Sequence, residues 1–266
     1  MQVMLGVLAG VLGLVLGSFA NVAIQRWPRG GTVSEPPRST CPACTQPIRA
    51  VDNVPILSWL LLRGCCRSCG AAIPVRYVAV EALTGALFAA TALVWGLDPR
   101  LPALLLLTLA VVIGGAIDLE HGIIPNGLTL RLPLALIPLL VLAAAIDGMW
   151  IDLIRALITG VALPGAMFLL SETFRLVRGK QGIGMGDVKF AISIGLVVGY
   201  LGGWHIVVFA YATIISAMVI VVGLLLARRA SLATRIPFGP YLAIGALIAL
   251  LVGDPAVALV QRVLGF

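Results

Sequence analysis

The chain has 266 residues, of which 61% are hydrophobic and only 11% charged, with a mean hydropathy of +1.11. Soluble domains carry roughly 25% charged residues, so the composition excludes an ordinary soluble enzyme and implies a polytopic membrane protein. The net charge of +7 does not argue for a nucleic-acid partner, because the basic residues follow a membrane-topology pattern instead.

Apolar runs near the ~20 residues needed to cross a bilayer recur along the chain. The first occupies residues 1–24. It lacks a basic flank and is long enough to span, so it is read as a retained helix rather than a cleaved signal. Residues 25–75 form the only long polar stretch, a small extramembrane domain. Further runs follow at about 76–97, 101–117, 128–146, 152–174, 188–203, 205–227 and 237–261. Pro133 and Pro138 predict a kink in the fourth run. The expected fold is an all-α polytopic membrane protein of about eight transmembrane helices, with residues 76–266 forming its main membrane domain.

Orientation follows from the positive-inside rule. With residues 25–75 in the cytosol, fifteen of the 18 Lys and Arg residues fall on the cytosolic side. Arg100, Arg155 and Arg262 alone fall on the other. Both termini then lie outside, and Asp98, Asp147, Asp152 and Asp254 are expected in solvated outer loops.

The polar domain carries Cys41-Pro42-Ala43-Cys44 and Cys66-Arg67-Ser68-Cys69. Each CxxC presents two thiolates from a tight turn, and Gly64 and Gly70 suit such turns. Together Cys41, Cys44, Cys66 and Cys69 make an S4 set fitted to structural zinc, a zinc-ribbon-like insertion. A segment this poor in apolar residues gains most of its folding energy from such a metal. Cys65 is a spare thiol.

The chain holds eleven acidic residues, so each can be judged. Once the outer-loop acids and Glu35, Asp52, Glu81 and Glu172 are set aside, Asp118 and Glu120 remain at the cytosolic end of the third run. Asp187 remains at the cytosolic start of the sixth, inside Gly182-Ile183-Gly184-Met185-Gly186-Asp187-Val188-Lys189. Taken alone, Asp187 reads equally as a helix N-cap or as a functional carboxylate at a membrane boundary. Two intervening helices return the chain to the same face, so topology puts Asp118 and Asp187 at one depth. Two carboxyl groups held together there share a proton, giving one acid and one base around a water. That is the chemistry of aspartyl proteolysis. No HExxH, GxSxG or P-loop pattern competes with it. His121 reads as a polar boundary residue. Glu81 reads as a buried partner for an arginine rather than a catalyst, and its place near the cytosolic end leaves a substrate contact as the other reading.

Ile117-Asp118-Leu119-Glu120-His121 with Ile124-Pro125-Asn126, and Gly184-Met185-Gly186-Asp187-Val188-Lys189, resemble the two catalytic motifs of the type IV prepilin peptidases, GxGD-type membrane aspartyl proteases. Gly17-Ser18-Phe19-Ala20-Asn21-Val22, Asp52-Asn53-Val54-Pro55-Ile56-Leu57-Ser58-Trp59, Arg76-Tyr77 with Glu81, and Pro237-Phe238-Gly239-Pro240 are similar to further signatures of that family, in the same order. The resemblance implies that Asp118 and Asp187 are the catalytic pair, with Glu120 an auxiliary residue at most. It implies an inner-membrane enzyme that removes the basic leader of type IV prepilin and pseudopilin precursors. It also implies, through the cysteine segment, N-methylation of the new terminus with S-adenosylmethionine. No nucleic acid enters this expectation, and membrane lipid is the surrounding partner. The alternatives are a cation or proton-coupled carrier using the same carboxylates, or a zinc-dependent membrane scaffold.

Overall fold

Each of the eight apolar runs coincides with a helix in the computed structural model, which describes residues 1–35, 39–41, 43–179, 182–228 and 237–264, the last twelve of these as backbone only. Arg38, Lys180, Arg229, Arg235 and the side chain of Arg262, used above for orientation, lie outside the described residues. The chain forms two compact units, residues 1–97 and 98–266.

In the first unit, α1 (Gln2–Arg26) pairs with α3 (Arg76–Trp95), and the short α2 (Leu57–Leu61) sits in the polar segment between them. The pairing is dictated by small residues. Gly6, Gly13 and Gly17 are buried on α1, and a Cβ at Gly13 would lie 2.7 Å from the Phe88 Cβ and 2.9 Å from the Gly85 Cα. Without a hydrophobic driving force between helices in lipid, such close backbone approach supplies the packing contact. Gly13→Leu should therefore force α1 and α3 apart, costing about 1–3 kcal/mol or more from overpacking. A lowered melting temperature in detergent would show it, and an unchanged one would contradict the seam.

In the second unit the helices are α4 (Leu101–His121), α5 (Asn126–Thr129), α6 (Arg131–Asp147), α7 (Trp150–Arg178), α8 (Met185–Leu201), α9 (Gly203–Leu226) and α10 (Gly239–Leu264). Among the described residues six helical segments are long and apolar enough to cross a membrane: Gln2–Arg29, Arg76–Trp95, Leu101–His121, Asn126–Asp147, Trp150–Arg178 and Gly203–Leu226. The sixth predicted run, α8, has 17 residues and is buried along nearly its whole length. Glycines again make this possible. A Cβ at Gly195 would lie 2.7 Å from the Thr159 carbonyl oxygen on α7, and one at Gly199 would lie 2.7 Å from the Thr159 Oγ1. On the α4 side, Phe190 fills the space over Gly114.

Several boundaries differ from the sequence expectation. Helix α4 continues past residue 117 to His121, and α8 begins at Met185, so Asp118 and Asp187 are both helical. Pro133 sits in the first turn of α6, where a missing N–H costs nothing, while Pro138 is interior. Asp254 falls within α10, not in a loop. Asp98 and Asp152 are paired with Arg100 and Arg155 rather than simply solvated.

Candidate active site

Asp118 lies in the last turn of α4, which ends where Gly122 takes the left-handed conformation and donates its N–H to the Asp118 carbonyl. Its side chain is only 4% exposed. The Asp118 Oδ2 accepts the Gly239 N–H at 2.8 Å. Gly239 opens α10, and a Cβ there would lie 2.7 Å from the same oxygen. Only glycine lets the first N–H of α10 come this close. Free N–H groups at a helix start favour an anionic partner.

Asp187 is the third residue of α8, with Gly184 as the capping residue. It is therefore not the N-cap that its position had suggested. It reaches back to bond the Gly184 N–H, as a carboxylate at the third helical position does in a capping box. That uses one oxygen. The other, Oδ1, is buried without a hydrogen-bond partner, in a residue 7% exposed. Capping thus accounts for half of the group and leaves one acceptor unused. A buried polar atom without a partner is costly, and such groups concentrate where chemistry is done.

Three contacts hold the two carboxylates at one end of the unit. A Cβ at Gly186 would lie 3.2 Å from both the backbone N and O of Ile124, so the first turn of α8 rests on the loop that follows α4. The Lys189 ammonium donates to the Asn126 Oδ1 at 2.9 Å, tying α8 to the start of α5. Ser171 of α7 donates to the Ile183 carbonyl at 3.1 Å and accepts the Ile183 N–H at 3.2 Å, fixing the strand of chain ahead of α8. The charges of Asp118 and Asp187 are near enough to interact. Glu120 and His121 are exposed on the last turn of α4. Sequence reasoning missed Ser171, and it gave no role to Gly239, Asn126 or Lys189. Gly239, Asn126 and Lys189 lay within motifs already marked, but a lone serine in an apolar helix gave no signal.

In the other unit the ligand atoms of Cys41, Cys44, Cys66 and Cys69 all lie within 4.8 Å of one another. A tetrahedral site with Zn–S of ~2.3 Å places its sulfurs roughly 3.8 Å apart, and the Cys41 and Cys69 sulfurs are 3.9 Å apart. The two knuckles repeat one backbone device. Thr45 and Gly70, each just after the second cysteine, have φ of +58° and +71° and donate to the carbonyls of Cys41 and Cys66 at 2.8 and 2.9 Å. The N–H groups of Cys69 and Ser68 draw the Cys66 thiol down to about 7. At Cys69 the Ala71 N–H pulls the same way, but the neighbouring thiols of Cys44, Cys66 and Cys41, together with burial, push it up to about 12. Four sulfurs this close cannot all ionise without a cation among them, so the donor set fits Zn²⁺. Among the described residues the segment carries only isolated bridges, Thr40 with Pro47 and Cys65 with Ala72, where a full ribbon would have strands.

Asp52 and Arg67 clasp the second knuckle, Nη2 to Oδ1 at 2.7 Å and Nε to Oδ2 at 2.9 Å. The Arg67 guanidinium holds the Asp52 carboxyl below the usual carboxylate range. Its contribution is then complete above the unfolded value of ~3.9 and is lost as pH falls through the lower native value. Titration of the Asp52 carboxyl carbon by NMR should give a midpoint below the ordinary one, and Asp52→Asn should remove that acid step. A midpoint at or above the ordinary value would contradict the clasp. Asp52 and Glu172 are both paired with arginines.

Glu81 is buried, but its partners are the Ile56 N–H at 2.8 Å and the Ser18 hydroxyl, not a guanidinium. Arg76 instead stacks over the Tyr77 ring, 4.9 Å from its centroid.

Comparison with known proteins agrees with this geometry. The sequence profile of the Bacterial Peptidase A24 N-terminal domain matches residues 11–95, and that of the Type IV leader peptidase family matches residues 103–226. A protein of Stutzerimonas stutzeri named prepilin leader peptidase/N-methyltransferase is 37% identical over 93% of this chain and 91% of its own length. Proteins of the same name from Pseudomonas aeruginosa and Neisseria gonorrhoeae are 35% and 33% identical, over 96% and 93% of this chain and 93% and 90% of their own lengths. No solved structure matches. Identity of this extent over nearly the whole chain shows that the chain belongs to the type IV leader peptidase family.

Proposed function

We propose that this protein is a membrane aspartyl endopeptidase that removes the short basic leader of type IV prepilins and pseudopilins and then N-methylates the exposed terminus. Asp118 and Asp187 are its catalytic pair. The observation that carries this reading is the pairing of two buried carboxylates at one end of the second unit. One is oriented by the Gly239 N–H and the other keeps an unpartnered oxygen. One carboxylate activates water and the other protonates the scissile carbonyl oxygen. The unpartnered Asp187 Oδ1 is the position where a water or a protonated carboxyl would bond. A fold built of apolar helices suits a substrate whose own apolar helix lies beside it in the bilayer.

The relatives' names support both activities. S-adenosylmethionine would supply the electrophilic methyl group. Cys41, Cys44, Cys66 and Cys69 would hold a structural zinc. By the distribution of basic residues, the protein sits in the bacterial inner membrane with residues 25–75 in the cytosol and both termini outside. The carrier alternative requires acids near the bilayer midplane. Here they lie at helix ends, and the relatives described above are named as peptidases.

The test uses the purified full chain in detergent with a prepilin and S-adenosylmethionine, read by mass spectrometry. The expected product has lost the leader and gained one methyl group. A folded preparation that leaves the prepilin intact overturns the peptidase reading, and one that cleaves without methylating overturns the second activity.

A further inference from the structure

We propose that Glu81 and Asn21 form a subsite for a primary ammonium group, the free α-amine of a polypeptide, in the seam between α1 and α3. The inference rests on the reading that this protein methylates a newly exposed terminus, and it assigns the group that receives that terminus.

Among the described residues of the first unit, Glu81 is the one buried carboxylate, 8% exposed. Buried carboxylates are normally paired with a cation. Both partners of Glu81, the Ile56 N–H and the Ser18 hydroxyl, are neutral. A negative charge here lacks its counter-charge, and a bound ammonium would supply it. Asn21 is 2% exposed. Its amide NH2 is committed to the Tyr77 carbonyl at 3.0 Å, which leaves its Oδ1 buried with no partner. Tyr77 stands one helical turn before Glu81, and Ser18 stands just under one turn before Asn21, so both side chains face the same seam. The seam thus offers a carboxylate and an orphan carbonyl oxygen, and both only accept. An ammonium group is the complement, with three donors and no acceptor.

Ile56 adds an independent observation. Its φ is +61°, a conformation that a β-branched residue rarely adopts. The strained residue is the one whose N–H is held on Glu81. Strain of this kind persists where surrounding contacts enforce it, and it concentrates at ligand sites. The Ile56 N–H is the bond that an arriving ammonium would share or displace.

The arrangement also has a chemical use. An α-ammonium cannot be methylated until it loses a proton. With the ammonium on Glu81, one N–H bond breaks and an O–H bond forms on the carboxylate. The electron pair stays on nitrogen, where it could attack the methyl carbon of a sulfonium donor; the carbon–sulfur bond would break and its electron pair would leave on sulfur, as a neutral thioether. Glu81 in this role touches the reacting amine directly, while Asn21 holds it in line.

The test compares two probes on the full chain in detergent: a short apolar peptide with a free α-amine, and the same peptide N-acetylated. Wild type is expected to bind the free amine roughly tenfold or more tightly, the scale of one charge-assisted hydrogen bond. Glu81→Gln keeps an acceptor for Ile56 and Ser18, so it should fold as wild type yet lose the preference. It should also lose methyl transfer while retaining leader cleavage. Asn21→Ala, the second variant, should weaken the preference with Glu81 intact. A preference unchanged in Glu81→Gln, or absent in wild type, overturns the proposal and leaves Glu81 as a structural staple for Ile56. Leader cleavage and methylation by wild type are scored on the same preparation. A protein that methylates without preferring the free amine refutes this subsite alone. One that prefers the amine but never methylates refutes the methyl-transfer reading and keeps the subsite.

Discussion

Asp118→Asn and Asp187→Asn should each reduce prepilin cleavage by at least ~10²–10⁴-fold, the usual worth of a positioned general acid or base. Asparagine is close to an isostere and keeps the structural bonds. At 118 its amide oxygen can still accept the Gly239 N–H, and at 187 it can still accept the Gly184 N–H. What it cannot do is give or take a proton. Each variant also removes one of two neighbouring buried carboxylates, which relieves desolvation and mutual repulsion. The melting temperature should therefore stay level or rise while activity disappears. A purely structural carboxylate predicts the reverse, a lower melting temperature with activity kept. The double variant should be no worse than either single one, because the pair acts as a unit. Near-normal cleavage by either folded single variant would remove that residue from the mechanism. The exposed Glu120, two residues after Asp118 in the last turn of α4, would then be the next carboxylate to substitute.

How much of this was legible in the sequence depends on what each feature rests on. Helix placement rests on apolar periodicity and length, so the eight runs were readable, and the parity of crossings placed Asp118 and Asp187 at one end. The exact helix starts rest on capping chemistry. At α8 the cap is Gly184, whose side chain carries no signal, so the helix starts at Met185 rather than near residue 188 and the N-cap alternative for Asp187 falls away. The Gly239 bond joins positions 121 apart in the chain and depends on how α10 meets α4, which no local pattern encodes. Glu81 was expected to meet an arginine. Arg76 lies five residues earlier on the same helix, roughly 140° around its axis, and so faces away. The true partners, Ile56 and Ser18, come from a strained loop and a neighbouring helix brought close by Gly17, whose Cβ would lie 2.8 Å from the Glu81 Cα. The glycines were visible, but what they approached was not.

Removing the metal site should have the largest effect on stability. Among the described side chains of residues 27–75, Cys41 is the only buried hydrophobic one. The segment therefore has almost no apolar core of its own, and turns, two isolated bridges and the Asp52–Arg67 clasp must be held by something else. Structural zinc supplies an apparent ~10–16 kcal/mol in small metal-bound domains, far more than those contacts can offer. Cys66→Ser should reduce zinc from one ion per chain to none, measured by inductively coupled plasma mass spectrometry. Proteolysis should then open between residues 39 and 73, and methyl transfer should fall with it, since Ile56 and Glu81 are tied to this segment. Leader cleavage should persist, because Asp118, Asp187 and Gly239 all belong to residues 98–266. Cys65→Ser is the control. Cys65 stands outside the four-sulfur set, so its loss should leave zinc and protease resistance unchanged. Full zinc loading in Cys66→Ser, or a segment equally resistant without metal, would mean that the loops hold themselves and that the four thiols serve some other purpose.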